Sequence, residues 1–381
     1  MPTQLLLLVD ALSFEYLKWM PSLQRLAEDG KAYSVKPAAG FRGVEPALNG
    51  EWTLPGEVPF RFKRAPDSPS RFPPMLGLGD ALLPSGLNRI YRLLLSKGFP
   101  GSYPHLIPSI LLHEFQVSSG TSRVPTVIER WEQSSKKVWW YTRDSKWEKK
   151  KSLTARVYRK VYRPLMLEEA LDALSVGSDV VYLEFSTLLD DVGHRCGPNS
   201  PEMENACREF DRDLSDWITK ARAQAGGDLS IGVISDHGMS EVTGSVDIED
   251  SLQQKNLING RDYVGIWNSN FAQIWPAKAP INKVEDSIID LPKVRSLTDD
   301  ERKEWFGEDL AYGEIILATE EGTVIRPNHF QGTKKVRGMH GHLHATSLES
   351  RALAVFLGPE FGMAEDQELE MPDLFRVLTP N

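Results

Sequence analysis

The chain has 381 residues, of which 41% are hydrophobic and 25% charged. This length suits one large α/β domain with an insertion, or two domains, and the apolar share allows a full core. The formal net charge of −9 argues against non-specific binding to nucleic acid, although a local basic pocket could still hold phosphate.

The first 53 residues predict the opening of a parallel sheet. Residues 4–9 form a short apolar run typical of a buried strand, and Asp10 follows it directly. Apolar residues at helical spacing predict a helix over 13–28, which Pro21 would break or kink. A second strand is expected at 32–36. The order strand, helix, strand is typical of parallel sheets.

Residues 54–135 contain many prolines and little periodicity. We assign this segment to a cap or insertion over the sheet, and we expect it to determine substrate selectivity. Residues 1–53 and 136–381 would form the core.

The rest of the chain predicts further strands and helices. Buried strands are expected at 138–141, 180–185, 229–234 and 353–357; helices at 152–175 and 201–224; a hairpin-like or meandering pair of strands at 262–276 and 312–326; and a polar linker or short helices at 283–306. The sequence therefore predicts an α/β fold with a central, mostly parallel sheet flanked by helices.

Acidic residues follow three of the predicted strands, namely Asp10, Asp190 and Asp236. An isolated aspartate after a strand is usually a turn or helix cap. In open parallel sheets, however, ligands bind outside the carboxyl ends of the strands. Three acidic residues delivered there can converge on one site.

Histidines accompany these acidic residues. His194 follows Asp190 at a spacing that lets a carboxylate and an imidazole bind one ion from a loop, with Gly193 as its pivot. Carboxylate and imidazole are the ligands that two close divalent cations need. The candidate metal ligands are Asp10, Asp190, His194, Asp236, His237 and His340.

These clusters resemble the alkaline phosphatase superfamily, specifically its type I phosphodiesterase/nucleotide pyrophosphatase branch. The resemblance covers roughly 1–50 and 138–360 and leaves 54–135 outside. The matching residues are Asp10 after a strand, Asp190-x-x-Gly193-His194-x-x-Gly197-Pro198, Asp236-His237-Gly238-Met239 and Gly338-Met339-His340-Gly341.

The resemblance implies an alkaline phosphatase-like core that binds two divalent cations. Zinc is usual in this branch, and manganese or magnesium occurs in relatives. One ion would be held by Asp190, His194 and His340, and the other by Asp10, Asp236 and His237.

The segment that carries the nucleophile in family hydrolases departs from the pattern. The chain has no Ser, Thr or Cys between Ser34 and Thr53, and an aligned Arg42, Gly43 or Val44 cannot form a covalent phosphoenzyme. Recruitment of the Thr53 hydroxyl, which lies beyond Gly50, is an alternative. Arg42 lies in this segment. Its guanidinium would hold a phosphate through paired hydrogen bonds, or it is a surface arginine in a loop.

Three further residues are candidates for the chemistry. Glu45 is a candidate catalytic base or extra ligand, or else a carboxylate at a helix start. Asn49, with Arg42, is a candidate substrate-binding residue. His342 is a candidate catalytic residue because a histidine beside metals can transfer protons near pH 7.

The number of cysteines and the hydropathy of the chain indicate in which cellular compartment the protein is expected. The two cysteines, Cys196 and Cys207, imply no disulfide framework and favour a reduced compartment. The apolar run at 4–9 is too short for a signal core, and no run of about 18 apolar residues predicts a membrane span. We expect a cytoplasmic protein with no membrane partner.

Three functions are consistent with these features. The first, which we favour here, is a metal-dependent enzyme that binds a nucleotide-diphosphate sugar and rearranges the sugar (a pyranose–furanose mutase) or transfers it. The second is a phosphodiesterase or nucleotide pyrophosphatase that uses metal-bound hydroxide. The third is a non-catalytic nucleotide-binding protein.

Overall fold

The computed structural model describes residues 2–40, 43–52, 62–65, 115–117, 126–141, 163–226, 228–306, 310–329 and 331–380. Arg42 and most of the predicted cap at 54–135 lie outside the described residues.

Seventeen strands lie within the described part of the chain. They are β1 (Thr3–Val9), β2 (Lys31–Lys36), β3 (Phe62–Arg64), β4 (Phe115–Val117), β5 (Val138–Tyr141), β6 (Val180–Ser186), β7 (Leu229–Ser235), β8 (Ser240–Glu241), β9 (Gly244–Val246), β10 (Tyr263–Trp267), β11 (Phe271–Pro276), β12 (Val294–Ser296), β13 (Ile315–Thr319), β14 (Thr323–Ile325), β15 (Gly338–Met339), β16 (Ala352–Leu357) and β17 (Glu368–Glu370).

The α-helices of the same residues are α1 (Pro21–Asp29), α2 (Glu45–Asn49), α3 (Val127–Gln133), α4 (Arg163–Ser175), α5 (Leu188–Cys196), α6 (Pro201–Ala225), α7 (Ile248–Gln254), α8 (Ile281–Ile288), α9 (Asp299–Phe306) and α10 (Leu374–Leu378). Short 3₁₀ helices span Phe14–Trp19, Leu310–Tyr312, Leu348–Ser350 and Met371–Asp373.

A seven-stranded sheet forms the centre of the fold, in the order β17-β2-β16-β7-β1-β6-β5. Only β16 runs against its neighbours β2 and β7, and the other pairs in this sheet are parallel. The predicted α/β fold with a mostly parallel central sheet is therefore confirmed.

Both faces of this sheet are buried, which explains the unbroken apolar run of β1. Leu5 and Leu7 pack on one face with residues of α1, α4, α5 and α6. Leu6 and Leu8 pack on the other face with residues of α2, α3 and α10. Because side chains alternate between the faces of a strand, a doubly covered strand needs apolar residues at every position.

Pro21 begins α1 instead of kinking a longer helix. The predicted helix at 13–28 is divided into a 3₁₀ helix at Phe14–Trp19 and α1. Proline suits the first helical position because its missing N–H would have had no intrahelical acceptor there.

A second lobe, residues 244–329, interrupts the chain between β7 and the return to the central sheet. Its sheet has the order β10-β11-β13-β12, with antiparallel pairing throughout. Each of the two predicted strand regions contains two strands: β10 and β11 lie within 262–276, and β13 and β14 lie within 312–326. Strand β12, within the segment predicted as a polar linker or short helices, was not anticipated. Buried residues of α7, α8 and these strands form a separate core.

In the part of the chain that the structure describes, no helix combines the length and apolar character needed to cross a membrane.

Candidate metal centre

Two neighbouring strands deliver three of the candidate ligands. Val9 at the end of β1 pairs with Ser235 at the end of β7, so Asp10 and Asp236 leave the same edge of the sheet side by side. His237 Nε2 lies 3.5 Å from Asp10 Oδ1 and 3.5 Å from Asp236 Oδ2. We call Asp10, Asp236 and His237 the sheet-end group.

Backbone hydrogen bonds orient the sheet-end group. Asp236 Oδ1 accepts from the amides of Ala11 at 3.2 Å and His237 at 3.0 Å, which leaves Oδ2 toward the imidazole. His237 Nδ1 donates to the carbonyl of Gly238 at 2.8 Å. A second bond of this kind is what holds a metal-binding histidine with Nε2 toward an ion.

The other three candidates meet beside α5. His194 Nε2 lies 3.2 Å from Asp190 Oδ1, and His340 Nε2 lies 3.8 Å from the same oxygen. His194 Nδ1 donates to the carbonyl of Gly338 at 2.9 Å. We call Asp190, His194 and His340 the helix group.

Asp190 and His194 lie on a helix, whereas the sequence suggested a loop with Gly193 as pivot. Their spacing of four residues places both side chains on one face of α5, one turn apart. Gly193 serves close packing: a Cβ there would lie 2.8 Å from Met239 Cε. A Cβ on Gly338 would lie 2.5 Å from the Gly193 carbonyl oxygen.

The two groups adjoin through stacked imidazoles. The rings of His237 and His340 have centroids 3.6 Å apart and planes within 5° of parallel. In each group the ligand atoms all lie within 4.8 Å of one another. These are the two sets of three that the family resemblance implied.

The separations within each group fit a bound divalent cation. Metal–ligand bonds of about 2.0–2.1 Å in tetrahedral geometry place neighbouring donor atoms roughly 3.3 Å apart. The observed imidazole-to-carboxylate distances run from 3.2 to 3.8 Å. Each group also combines nitrogen and carboxylate oxygen donors, which suit a divalent cation.

The electrostatics of the helix group favour an ionised carboxylate and a neutral His340. Burial opposes ionisation of Asp190, but contact with His194 and the nearby His340 and His237 hold its pKa below the ordinary value. Burial also acts on His194, yet contact with Asp190 outweighs it and raises the pKa of His194. Burial, with His237 and His194 nearby, lowers the pKa of His340. A neutral imidazole is the form that binds metal.

The remaining candidates lie outside these two groups. Glu45 is the first residue of α2, and Asn49 is its last. Asn49 is 5% exposed, and its Oδ1 has no hydrogen-bond partner among the described residues. His342 is buried, with Nε2 3.2 Å from the carbonyl oxygen of Thr323 in the second lobe. The catalytic and substrate-binding roles of Arg42, Glu45, Asn49 and His342 stay predictions.

The sequence did not indicate that the second lobe contributes to the centre. Asn270, in the turn between β10 and β11, donates from Nδ2 to the carbonyl oxygen of His340 at 2.8 Å. The polar run Asn268-Ser269-Asn270 was readable as a hairpin turn. No local pattern connects that turn to a histidine 70 positions later.

Residues 99–343 match the family model described as type I phosphodiesterase / nucleotide pyrophosphatase. The match begins inside 54–135, so the resemblance extends further into that segment than the motifs indicated.

Three solved structures share the fold. Murine ectonucleotide pyrophosphatase / phosphodiesterase 5 is 16% identical with a TM-score of 0.66, and the alignment covers 99% of this chain and 94% of that one. An inactive threonine-to-alanine variant of the murine protein, in complex with AMP, gives the same four figures. The human protein is 15% identical with a TM-score of 0.67, with coverage of 99% and 93%.

Proposed function

The chain belongs to the type I phosphodiesterase / nucleotide pyrophosphatase family, and from this premise we propose a divalent-metal-dependent enzyme that cleaves a nucleotide phosphoester or diphosphate bond. The observation that carries the proposal is the pair of three-ligand groups joined by the stack of His237 on His340. Each group would hold one cation, and two such cations would stabilise the charge on a phosphoryl group.

The cations, when bound, would stabilise charge on the phosphoryl oxygens and lower the pKa of water. The chain itself provides their ligands and keeps them fixed. His194 and His237 are held by backbone carbonyls, and Asp236 is held by backbone amides. Such fixed groups need little reorganisation during reaction. The AMP bound to the murine relative supports a nucleotide as ligand.

The nucleophile is proposed to come from solvent. The murine relative is described as inactive when a threonine is replaced by alanine. The present chain has no Ser, Thr or Cys between Ser34 and Thr53. Because that segment provides no hydroxyl or thiol, water is the nucleophile that keeps the family's reaction.

A second candidate is chemistry on the sugar of a nucleotide-diphosphate sugar, either ring rearrangement or transfer, with the diphosphate left intact. The missing nucleophile favours it, since such a reaction needs the diphosphate held and not attacked. We rank hydrolysis first because it fits a phosphodiesterase / pyrophosphatase family.

Nuclear magnetic resonance separates the two candidates. The protein is loaded with Mg²⁺ or Zn²⁺, because Mn²⁺ would broaden the signals, and is incubated with a panel of nucleotide-diphosphate sugars. Phosphorus and anomeric proton signals are then followed together. Release of nucleotide monophosphate and sugar phosphate is expected for hydrolysis. New anomeric signals with an unchanged diphosphate would reject hydrolysis in favour of sugar chemistry. Binding without any new signal would leave a nucleotide-binding protein.

Replacement of Arg42 by threonine tests the nucleophile segment. If Arg42 occupies the nucleophile position, Arg42→Thr should add a hydroxyl, increase hydrolysis of a phosphodiester and weaken the native reaction. The measurement is the rate with each substrate at saturating metal. Arg25→Thr, which alters an exposed arginine on α1, is the matched control. Unchanged rates in Arg42→Thr would place Arg42 away from the substrate.

A further inference from the structure

Glu321 lies between β13 and β14 in the second lobe, and its carboxylate accepts hydrogen bonds from residues outside that lobe. Its Oε1 accepts from the hydroxyls of Ser240 and Ser347, each at 2.5 Å. Its Oε2 accepts from the amides of Thr346 at 2.7 Å and Ser347 at 3.0 Å. Burial opposes the charge, but these bonds outweigh burial and lower the pKa of Glu321 to about 2. Glu321 is therefore ionised at neutral pH.

The partners of Glu321 belong to the loops of both ligand groups. Ser240 comes three residues after His237 and pairs with Met339, which directly precedes His340. Thr346 and Ser347 end the segment that follows His340. One carboxylate thus joins the loop after His237 to the loop after His340.

The segment from 340 to 347 contains no helix or strand and depends on contacts from other parts of the chain. Asn270 donates to the carbonyl of His340, and Gly40 donates its amide to the carbonyl of Gly341 at 2.8 Å. Glu321 holds the far end of the same segment. Asp10, Asp236 and His237, by contrast, directly follow strands of the central sheet. The placement of His340 therefore depends on contacts from distant segments, among them the side chains of Asn270 and Glu321.

We propose that Glu321 is a positioning residue for His340, so that loss of its charge weakens metal binding by the helix group and spares the sheet-end group. This inference rests on the proposed two-metal function. Glu321 contacts neither group directly, and it would act through the backbone of the loop that carries His340.

The test is titration of the metal-free full chain with Co²⁺, followed by visible absorption and by calorimetry. Glu321→Gln keeps the side-chain shape but turns an NH₂ group toward donors. Wild type is expected to bind two equivalents. The variant should bind one with unchanged affinity and the other about 10- to 100-fold more weakly, as for residues that support metal ligands.

A double variant shows which ligand group holds the cation that binds more weakly in Glu321→Gln. His194→Ala removes a ligand of the helix group and should leave one tight equivalent. Adding Glu321→Gln to His194→Ala should not weaken that remaining equivalent further, because it belongs to the sheet-end group. A further loss of affinity in the double variant would overturn the proposed selectivity.

Asp211→Asn is the control for a general loss of stability. Asp211 is a buried carboxylate on α6 that accepts the amides of Ser22 and Leu23 at the start of α1. This control should lower the melting temperature and keep both equivalents. The inference would be overturned if Asp211→Asn showed the same selective loss. It would also be overturned if Glu321→Gln weakened both equivalents equally or weakened neither.

Ser240→Ala gives an independent test should Glu321→Gln fail to fold. It removes one hydroxyl donor to Glu321 and should cause a smaller loss at the same equivalent, whereas unchanged binding would overturn the inference. Wild type that binds no Co²⁺ would reject the metal centre and this inference together. Two tight equivalents in wild type and in both variants would reject this inference alone.

Discussion

Two imidazoles of the candidate metal centre are held by hydrogen bonds at Nδ1, the ring nitrogen that points away from the carboxylates. His194 Nδ1 and His237 Nδ1 each face a backbone carbonyl oxygen. Since a carbonyl oxygen only accepts hydrogen bonds, Nδ1 carries the proton in the neutral ring and Nε2 presents its lone pair. At the scale of single residues, backbone geometry therefore selects the tautomer that can bind a cation.

Asn270 should stabilise the fold through its bond to His340. Its side chain is 1% exposed, and Asn270→Ala would leave the His340 carbonyl without this donor. We expect the free energy of unfolding to fall by about 1–3 kcal/mol, the usual cost of an unsatisfied polar group. Urea unfolding of the metal-free protein measures it. Gln253→Ala, an exposed amide truncation on α7, should stay within about 0.5 kcal/mol. Equal effects of the two changes would show that the bond to His340 contributes nothing.

Glu321 should contribute stability that depends on pH. Its pKa falls from 4.5 to about 2 on folding, so the unfolded chain binds the proton more readily. The contribution is complete above about pH 4.5 and is lost as the pH falls toward 2. Urea unfolding should therefore show a larger difference between wild type and Glu321→Gln at pH 7 than at pH 3. A difference independent of pH would contradict an ionised Glu321 in the native state.

Helix α5 is an element whose helical conformation depends on tertiary packing as well as on local sequence. Asp190 and Asp191 in its first turn and His194 and Arg195 in its last turn complement the helix dipole. Gly193 costs about 1 kcal/mol relative to alanine inside a helix, which made a loop the simpler prediction. An added Cβ on Gly193 would lie 2.8 Å from Met239 Cε and 3.3 Å from Met203 Cε, so the glycine lets these two side chains pack closely against α5. The helix exists because tertiary packing outweighs that local cost.

Gly341 permits the turn directly after His340. It has φ +79°, and an added Cβ would overlap the carbonyl oxygen of Gly40. Gly332 has φ +61° with open space around the same position, so it is a matched control. In both alanine variants the free energy of unfolding should fall by about 1–2 kcal/mol, because alanine is strained in the left-handed backbone conformation. Only Gly341→Ala should lose more, because the loop must also move away from Gly40.

The same pair should differ in metal binding. Displacement of the loop at Gly341 moves His340 away from Asp190 and His194, so Co²⁺ affinity should fall in Gly341→Ala and stay unchanged in Gly332→Ala. Equal affinities would show that the contact with Gly40 does not position His340.

At the scale of the whole molecule, the second lobe separates the two stacked histidines in the chain. The polypeptide leaves the central sheet after His237, forms the antiparallel sheet of the lobe, and returns through β15 to supply His340. Ions bound to both groups would therefore join segments that are far apart in sequence.

Metal removal should lower stability. A ligand that binds only the native state adds about 2.7 kcal/mol per site at 100 times its dissociation constant. Excess Mn²⁺ should raise the melting temperature, and a chelator should abolish the increase. His340→Ala should lose much of this response. His344→Ala, which alters an exposed histidine paired with Glu301 at 2.8 Å, should keep it. An equal response in wild type and His340→Ala would contradict the helix group as a metal site.

Sequence patterns were enough to predict six of the seven strands of the central sheet, all except β17, and the residues that meet at their ends. The apolar runs of β1, β6 and β7 required burial on both faces, and the aspartate after β1 and β7 was placed by the strand it follows. Residue chemistry and order along the chain sufficed to select the six candidate ligands and, through the family resemblance, to divide them into two groups.

How those residues are held depends on contacts between distant parts of the chain. The helix that carries Asp190, the second lobe, and the contacts of Asn270 and Glu321 were beyond local pattern. Glu321 reaches Ser240 across 81 positions and Ser347 across 26. Periodicity reports which face of an element is buried, but a hydrogen bond between distant loops depends on the packing of every element between them.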